Sequence, residues 1–213
     1  MLLWPAARLT AHPADVMRLR VLMQDRRADL RLTFSLLQLS RLLPGLDANR
    51  DQGVNEAELK AAWPRLQALL DSRVHCRVND QAQGWGPVLA MDLVWPRSAG
   101  DGGFAPAAQY ASRFVDLEFA MTKAEGIADL WLGFDWWEQT GVQASVQARF
   151  EQGEQITEVP FTPQEPDFLY DSGLQIPLPP ERAGLKRFGL IVIGLAMALM
   201  LLWGVLKRLR GVA

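Results

Sequence analysis

The 213-residue chain has one cysteine, Cys76, and two histidines, His12 and His75. A lone thiol excludes an intrachain disulfide, a cysteine-based zinc cluster and a CxxC redox motif. Val74, Cys76 and Val78 alternate with His75, Arg77 and Asn79, so the thiol is expected on the apolar face of a strand, as a small buried side chain. An excess of one charge is also missing. The 22 Lys and Arg stand against 24 Asp and Glu, a net −2 with both signs scattered. With no basic stripe to neutralise phosphates, nucleic-acid binding has no support. Asp135 and Glu138 are neighbouring carboxylates, but nothing organises them around a nucleophile, and an enzyme is not expected.

Only one long hydrophobic run is present. Phe188 to Leu206 (FGLIVIGLAMALMLLWGVL) is free of charge and bounded by Lys186-Arg187 and Lys207-Arg208. At about 1.5 Å per residue it matches a bilayer core of ~30 Å. A core helix is seldom apolar on every face, so a single transmembrane helix is expected at 188–206, with a short basic tail at 207–213. Arg182, Lys186 and Arg187 on one side balance Lys207, Arg208 and Arg210 on the other, and charge does not set the orientation. Within the span Gly194 and Ala198 form a small-xxx-small pair able to seat a neighbouring helix. Ile176-Pro-Leu-Pro-Pro180 opens an extended, semi-rigid stalk over 176–187. Met1–Ala11 (MLLWPAARLTA) reads as a degraded or truncated signal segment: its start is apolar, but it lacks a basic n-region and Pro5 breaks the run.

Between these ends the dominant pattern has period two. Val142, Ala144, Val146, Ala148 and Phe150 alternate with polar residues; Val115, Leu117, Phe119 and Met121 alternate with Asp116, Glu118 and Ala120, and Leu130, Leu132, Phe134 and Trp136 with Asp129, Trp131, Gly133 and Asp135. Met17, Leu19, Val21 and Met23 precede a polar Gln24–Arg27 turn, followed by Leu30, Leu32 and Phe34. Further strands are expected near Val74–Asn79, Val88–Trp95 and Ile156–Phe161, with a hairpin at Gly153. Short antiparallel strands of this kind predict an immunoglobulin-like β-sandwich over 12–175. In 36–72 the composition turns helical, which predicts an inserted subdomain whose second helix is kinked at Pro64 or starts anew after Trp63.

That insertion carries the one motif with chemistry. Asp47-Ala-Asn-Arg-Asp-Gln-Gly-Val-Asn-Glu-Ala-Glu58 places oxygen side chains at positions 1, 3, 5, 9 and 12 of an EF-hand loop, with Val54 at position 8. A hard cation of calcium's size takes six to eight oxygens. Asp47, Asn49, Asp51, the Gly53 carbonyl, Asn55 and Glu58 would supply them. The glycine usual at position 6 is Gln52, Pro44-Gly45 breaks the entering helix, Arg50 reduces the negative field, and no second loop is present. Calcium binding is therefore expected to be weak. The competing reading is a helix N-terminus in which Asn55 and Glu58 form a capping box, which leaves Asp47, Asn49 and Asp51 unexplained.

Two other features have both a functional and a plain reading. Cleavage after Ala11 would make His12 the N-terminal residue, and a free amine with imidazole chelates copper, with His75 as a second ligand. Two unrelated surface histidines explain the same residues. Trp131, Trp136 and Trp137 form either a sticky edge or a mixture of core and surface aromatics.

His12-Pro-Ala-Asp15, Leu32-Thr-Phe34, the Leu42-Leu-Pro-Gly-Leu46 run before Asp47, Glu158-Val-Pro-Phe161, Glu165-Pro166 and Tyr170-Asp171 occur in that order. The order resembles the N-terminal extracytoplasmic region associated with bacterial HupE/UreJ-type membrane proteins, hydrogenase and urease accessory proteins linked to nickel handling, over Leu9 to Gly173. The resemblance implies a periplasm-facing domain with an EF-like loop. This chain departs from the family in having one span in place of a multi-helix transport part, so nickel permeation does not carry over. The expectation is a non-enzymatic accessory or structural subunit of a larger complex in the bacterial inner membrane, in contact with the lipid bilayer, binding Ca2+ weakly. A periplasmic copper- or nickel-handling protein is the alternative.

Overall fold

The computed structural model describes residues 15–86, 88–95 and 103–175. The signal segment, His12, the stalk, the span at Phe188–Leu206 and the basic tail lie outside the described residues. Among the described residues no helix is long and apolar enough to cross a membrane.

β1 (Val16–Gln24) and β2 (Arg27–Ser35) form a hairpin in which Gln24 faces Arg27. Met17, Leu19, Val21 and Met23 are buried while Arg18, Arg20 and Gln24 are exposed, as the alternation requires. Ser35 ends β2 and caps α1 (Leu36–Leu42), accepting from the Gln38 amide at 3.2 Å. After the Asp47 loop come β3 (Gly53–Val54) and α2 (Glu56–Arg73), then β4 (Val74–Val78), β5 (Gln81–Ala82), β6 (Ala90–Trp95) and β7 (Ala105–Pro106). A 3-10 helix over Ala107–Ser112 leads into β8 (Phe114–Thr122), β9 (Asp129–Phe134), α3 (Trp137–Thr140), β10 (Ser145–Gln152), β11 (Gln155–Phe161) and β12 (Asp167–Asp171).

The fold is mainly β. One sheet has the order β11-β10-β1-β2-β8-β6 and the other β12-β9-β4-β5, with β3-β7 as a separate pair. All pairings are antiparallel except β1 with β10, which run parallel from Val16 opposite Ser145 to Leu22 opposite Glu151. The two larger sheets share one core. Phe134 of β9 meets Phe161 of β11 edge-on at 4.8 Å, Phe150 of β10 stacks on Tyr170 of β12 at 4.9 Å, and Cys76 Sγ lies 3.6 Å from Met121 Sδ. Such interdigitated inner faces are what a sandwich needs. Burial pushes the Cys76 thiol up to about 12, which leaves it protonated and inert.

Three expectations are corrected. The strand expected from Val142 begins at Ser145, because Gly141 (φ 97°) ends α3 and the Ala144 amide turns back onto the Gly141 carbonyl at 3.0 Å; Val142 is exposed. Of the two readings of Pro64, the restart after Trp63 does not occur, since α2 runs through the proline from Glu56 to Arg73. Pro64 lies on the exposed side, where water can take the carbonyl its missing N–H leaves open. Asp116, at a position the alternation marks as wet, is buried, because Arg31 and Thr33 satisfy its carboxylate.

Candidate calcium loop

α1 ends at Leu42, and Gly45 at φ 76° turns the chain toward Asp47. The side-chain oxygens then fold back on the loop's own amides. Asp47 accepts from Asp51 N (3.2 Å) and Gln52 N (3.0 Å), Asn49 Oδ1 from Asp51 N (2.9 Å), and Asp51 Oδ1 from Gly53 N (3.1 Å). These are Asx-type turns, short polar side chains replacing a backbone acceptor. Arg50 and Gln52 adopt φ of 62° and 68°, so Gln52 holds the left-handed geometry that position 6 demands. Without glycine this costs roughly 1–2 kcal/mol.

Glu58 reaches across the loop from the first turn of α2. Its Oε1 accepts from Ala48 N (3.0 Å) and Asn49 N (3.3 Å), and its Oε2 from Asn55 N (3.0 Å). Asn55 Oδ1 in turn accepts from Glu58 N at 3.0 Å, which completes the capping box. The capping arrangement is therefore present, and Asp47, Asn49 and Asp51 also have backbone work that needs no ion. Among the described residues no three His, Cys, Asp or Glu side chains converge to hold a metal. Each carboxylate still offers about four lone-pair positions, more than these amides use, and the set is entirely hard oxygen, which suits calcium and not copper or nickel.

Sequence reasoning missed the loop's partner. Gly53 and Val54 pair with Pro106 and Ala105, and Ala107 N donates to Gln52 O at 2.8 Å. Alternation in an antiparallel ladder then turns the Gly53 N–H and C=O away from β7 and toward the loop, the direction a position-7 carbonyl ligand requires. Gly53 is needed for packing: a Cβ there would lie 2.1 Å from Phe104 Cζ. The signal for β7 was too short to read, since two residues have no period. Tyr110, on the 3-10 helix, lies close enough that its phenol is pushed up by burial and then by the charges of Asp47, Glu58 and Asp51.

The other candidate residues are not gathered. His75 is exposed on β4, Asp135 lies 3.5 Å from Arg73 in an ion pair, and Trp136 is core. Trp131 lies over Gly133 and donates its indole N–H to Asp167 at 2.8 Å. No protein-family model matches the chain, and no curated protein matches it at a significant level.

Proposed function

We propose that this chain is a non-enzymatic accessory subunit of a bacterial inner-membrane complex, anchored by Phe188–Leu206 with its domain in the periplasm, and that Asp47, Asn49, Asp51, Gly53, Asn55 and Glu58 take Ca2+ weakly. The sandwich is read as a distant variant of the immunoglobulin-like type, with its first strand antiparallel to one neighbour and parallel to a late one. The observation that carries the metal reading is Glu58 reaching over the loop to the Ala48 and Asn49 amides. It places the position-12 carboxylate against the first half of the loop, so a cation has only to displace amide contacts. That displacement, with Arg50 and Gln52, keeps the dissociation constant near the ~10⁻⁴–10⁻³ M of extracellular modules. The periplasmic placement rests on the HupE/UreJ-type resemblance, and millimolar calcium belongs on that side. The alternative, a periplasmic copper- or nickel-handling protein, rests on His12, which lies outside the described residues, and on His75, which is exposed on β4.

Calcium at about 100 times its dissociation constant adds roughly 2.7 kcal/mol of stability, which a melting curve resolves. Magnesium should add less, because it gives up its waters reluctantly. Glu58→Gln removes one charged oxygen but keeps an acceptor for the cap. If calcium raises the melting temperature of wild type and variant equally, or of neither, the loop is only a capped turn.

A further inference from the structure

The outward face of the six-stranded sheet has arginines at its centre. Strand register puts Glu118, Arg31, Arg20, Arg149 and Glu158 in one cross-strand row, with Arg18 in the next row between Thr33 and Gln147. Like charges directly opposite one another repel, so three adjacent guanidiniums need anions to hold them. Carboxylates do this, two of them recessed and two exposed. Glu151 accepts from Arg20 Nε (3.0 Å) and Nη2 (2.7 Å) and from Arg149 Nε (2.7 Å), Asp116 accepts from Arg31 Nε (2.6 Å), Glu158 accepts from Arg149 Nη1 (3.2 Å), and Glu118 lies 3.9 Å from Arg31 Nε. The side chains of Glu151 and Asp116 are 15 % and 9 % exposed, whereas Arg20, Arg31 and Arg149 are 58 %, 46 % and 45 % exposed. Glu151 and Asp116 form a floor beneath the guanidiniums, so at the centre of the row the groups that reach solvent are the cations.

A hollow of about 620 Å³ lies over these residues, lined by all four arginines, by the carboxylates Asp116 and Glu158, and by Val16 and Phe114 as an apolar wall; the cations outnumber the acids in it by four to two. Small-molecule sites span roughly 300–1,000 Å³. The Arg18 guanidinium makes no hydrogen bond or ion pair among the described residues, and the other three guanidiniums use only part of their five N–H donors. We infer that this hollow binds a small molecule carrying two or more oxyanion groups, carboxylate or phosphate, set across the Arg31–Arg20–Arg149 row and against Arg18. Guanidinium forks match both groups bidentately. Strands lie about 4.8 Å apart, so the row covers about 10 Å, room for a compact oligoanion. Glu118 and Glu158, 51 % and 70 % exposed, close the row at both ends, so a long polyanion or an anionic bilayer surface meets repulsion there.

Calorimetric titration of the detergent-solubilised full chain with citrate and with pyrophosphate, at constant ionic strength, tests the inference. Arg18→Gln removes a cation with no partner to orphan, and melting curves verify the fold. Arg27→Gln, on the same face but outside the hollow and paired with Asp29 at 2.6 Å, controls for bulk charge. The expected result is binding of at least one anion, weakened about tenfold by Arg18→Gln, the worth of one charge-assisted contact, and left unchanged by Arg27→Gln. Citrate alone identifies a carboxylate ligand, pyrophosphate alone a phosphate ligand, and both together a site selecting on charge. If neither anion binds at millimolar concentration, if Arg18→Gln leaves binding as it was, or if both variants weaken it equally, the inference is overturned.

Discussion

Gly53→Ala probes the clamp between the loop and β7. An added Cβ would lie 2.1 Å from Phe104 Cζ, 2.3 Å from its Cε2 and 3.0 Å from the Ala105 carbonyl, against the ~3.5–4.0 Å of a comfortable carbon–carbon contact. Gly53 is not among the residues at positive φ, so alanine brings no backbone penalty, and the cost is steric. Val54 and Ala105 are fully buried on either side of the pairing, which leaves the ring to move. Overpacking of this kind costs about 1–3 kcal/mol. For a domain of this length 1 kcal/mol shifts the melting temperature by about 2–4 °C, so a drop of roughly 2–12 °C is expected. Calcium-free thermal unfolding followed by circular dichroism measures it. Phe104→Ala provides the control: it loses its own packing energy, but in that background the second methyl has space. A double-mutant cycle should give a coupling of about 1 kcal/mol or more. Equal cost of Gly53→Ala in both backgrounds would refute the reasoning, because the ring would then not be what excludes the Cβ.

Two further predictions follow from groups whose environment is unusual. Hydrogen bonds from Arg20 and Arg149 hold the Glu151 carboxyl down at about 2 from its ordinary 4.5, so its contribution is present above about 4.5 and lost as the pH falls toward 2; the melting difference between wild type and Glu151→Gln should be full at pH 7 and vanish near pH 2, and a difference constant across that range would contradict it. Because Cys76 is buried with its thiol at about 12, a cysteine placed at exposed Glu154 is the only thiol expected to react. Labelling of Glu154→Cys by a membrane-impermeant maleimide in intact cells supports the periplasmic side, and protection until lysis reverses the orientation.

The strands were legible wherever one face is dry and the other wet. Met17 to Met23 and Val115 to Met121 announce their inner faces because burial selects every second residue. Asp116 shows the limit: its position reads as wet, and only the cross-strand Arg31 and Thr33, invisible to a local pattern, make its burial tolerable. The loop was legible for the opposite reason, since its Asx turns are local and need only the spacing of Asp47, Asn49 and Asp51. Its partner strand, the parallel pairing of β1 with β10 and the arginine row were not legible, because each depends on register between segments far apart in the chain.

The parallel pairing bears on how the chain reaches its fold. β1 lies inside the six-stranded sheet, yet one of its edges is closed by a neighbour that starts at Ser145. A ribosome adding about 5–20 residues per second takes roughly 6–26 s to cover that separation. For that interval the nascent β1–β2 hairpin has an open edge and a bare apolar row from Met17 to Met23, a template for mispairing with any passing strand. Non-local closure of this kind is also intrinsically slow. Production of this domain should therefore depend on holding factors or slow, cool expression more than its size would suggest, and truncations ending before Phe161 should aggregate instead of folding in part.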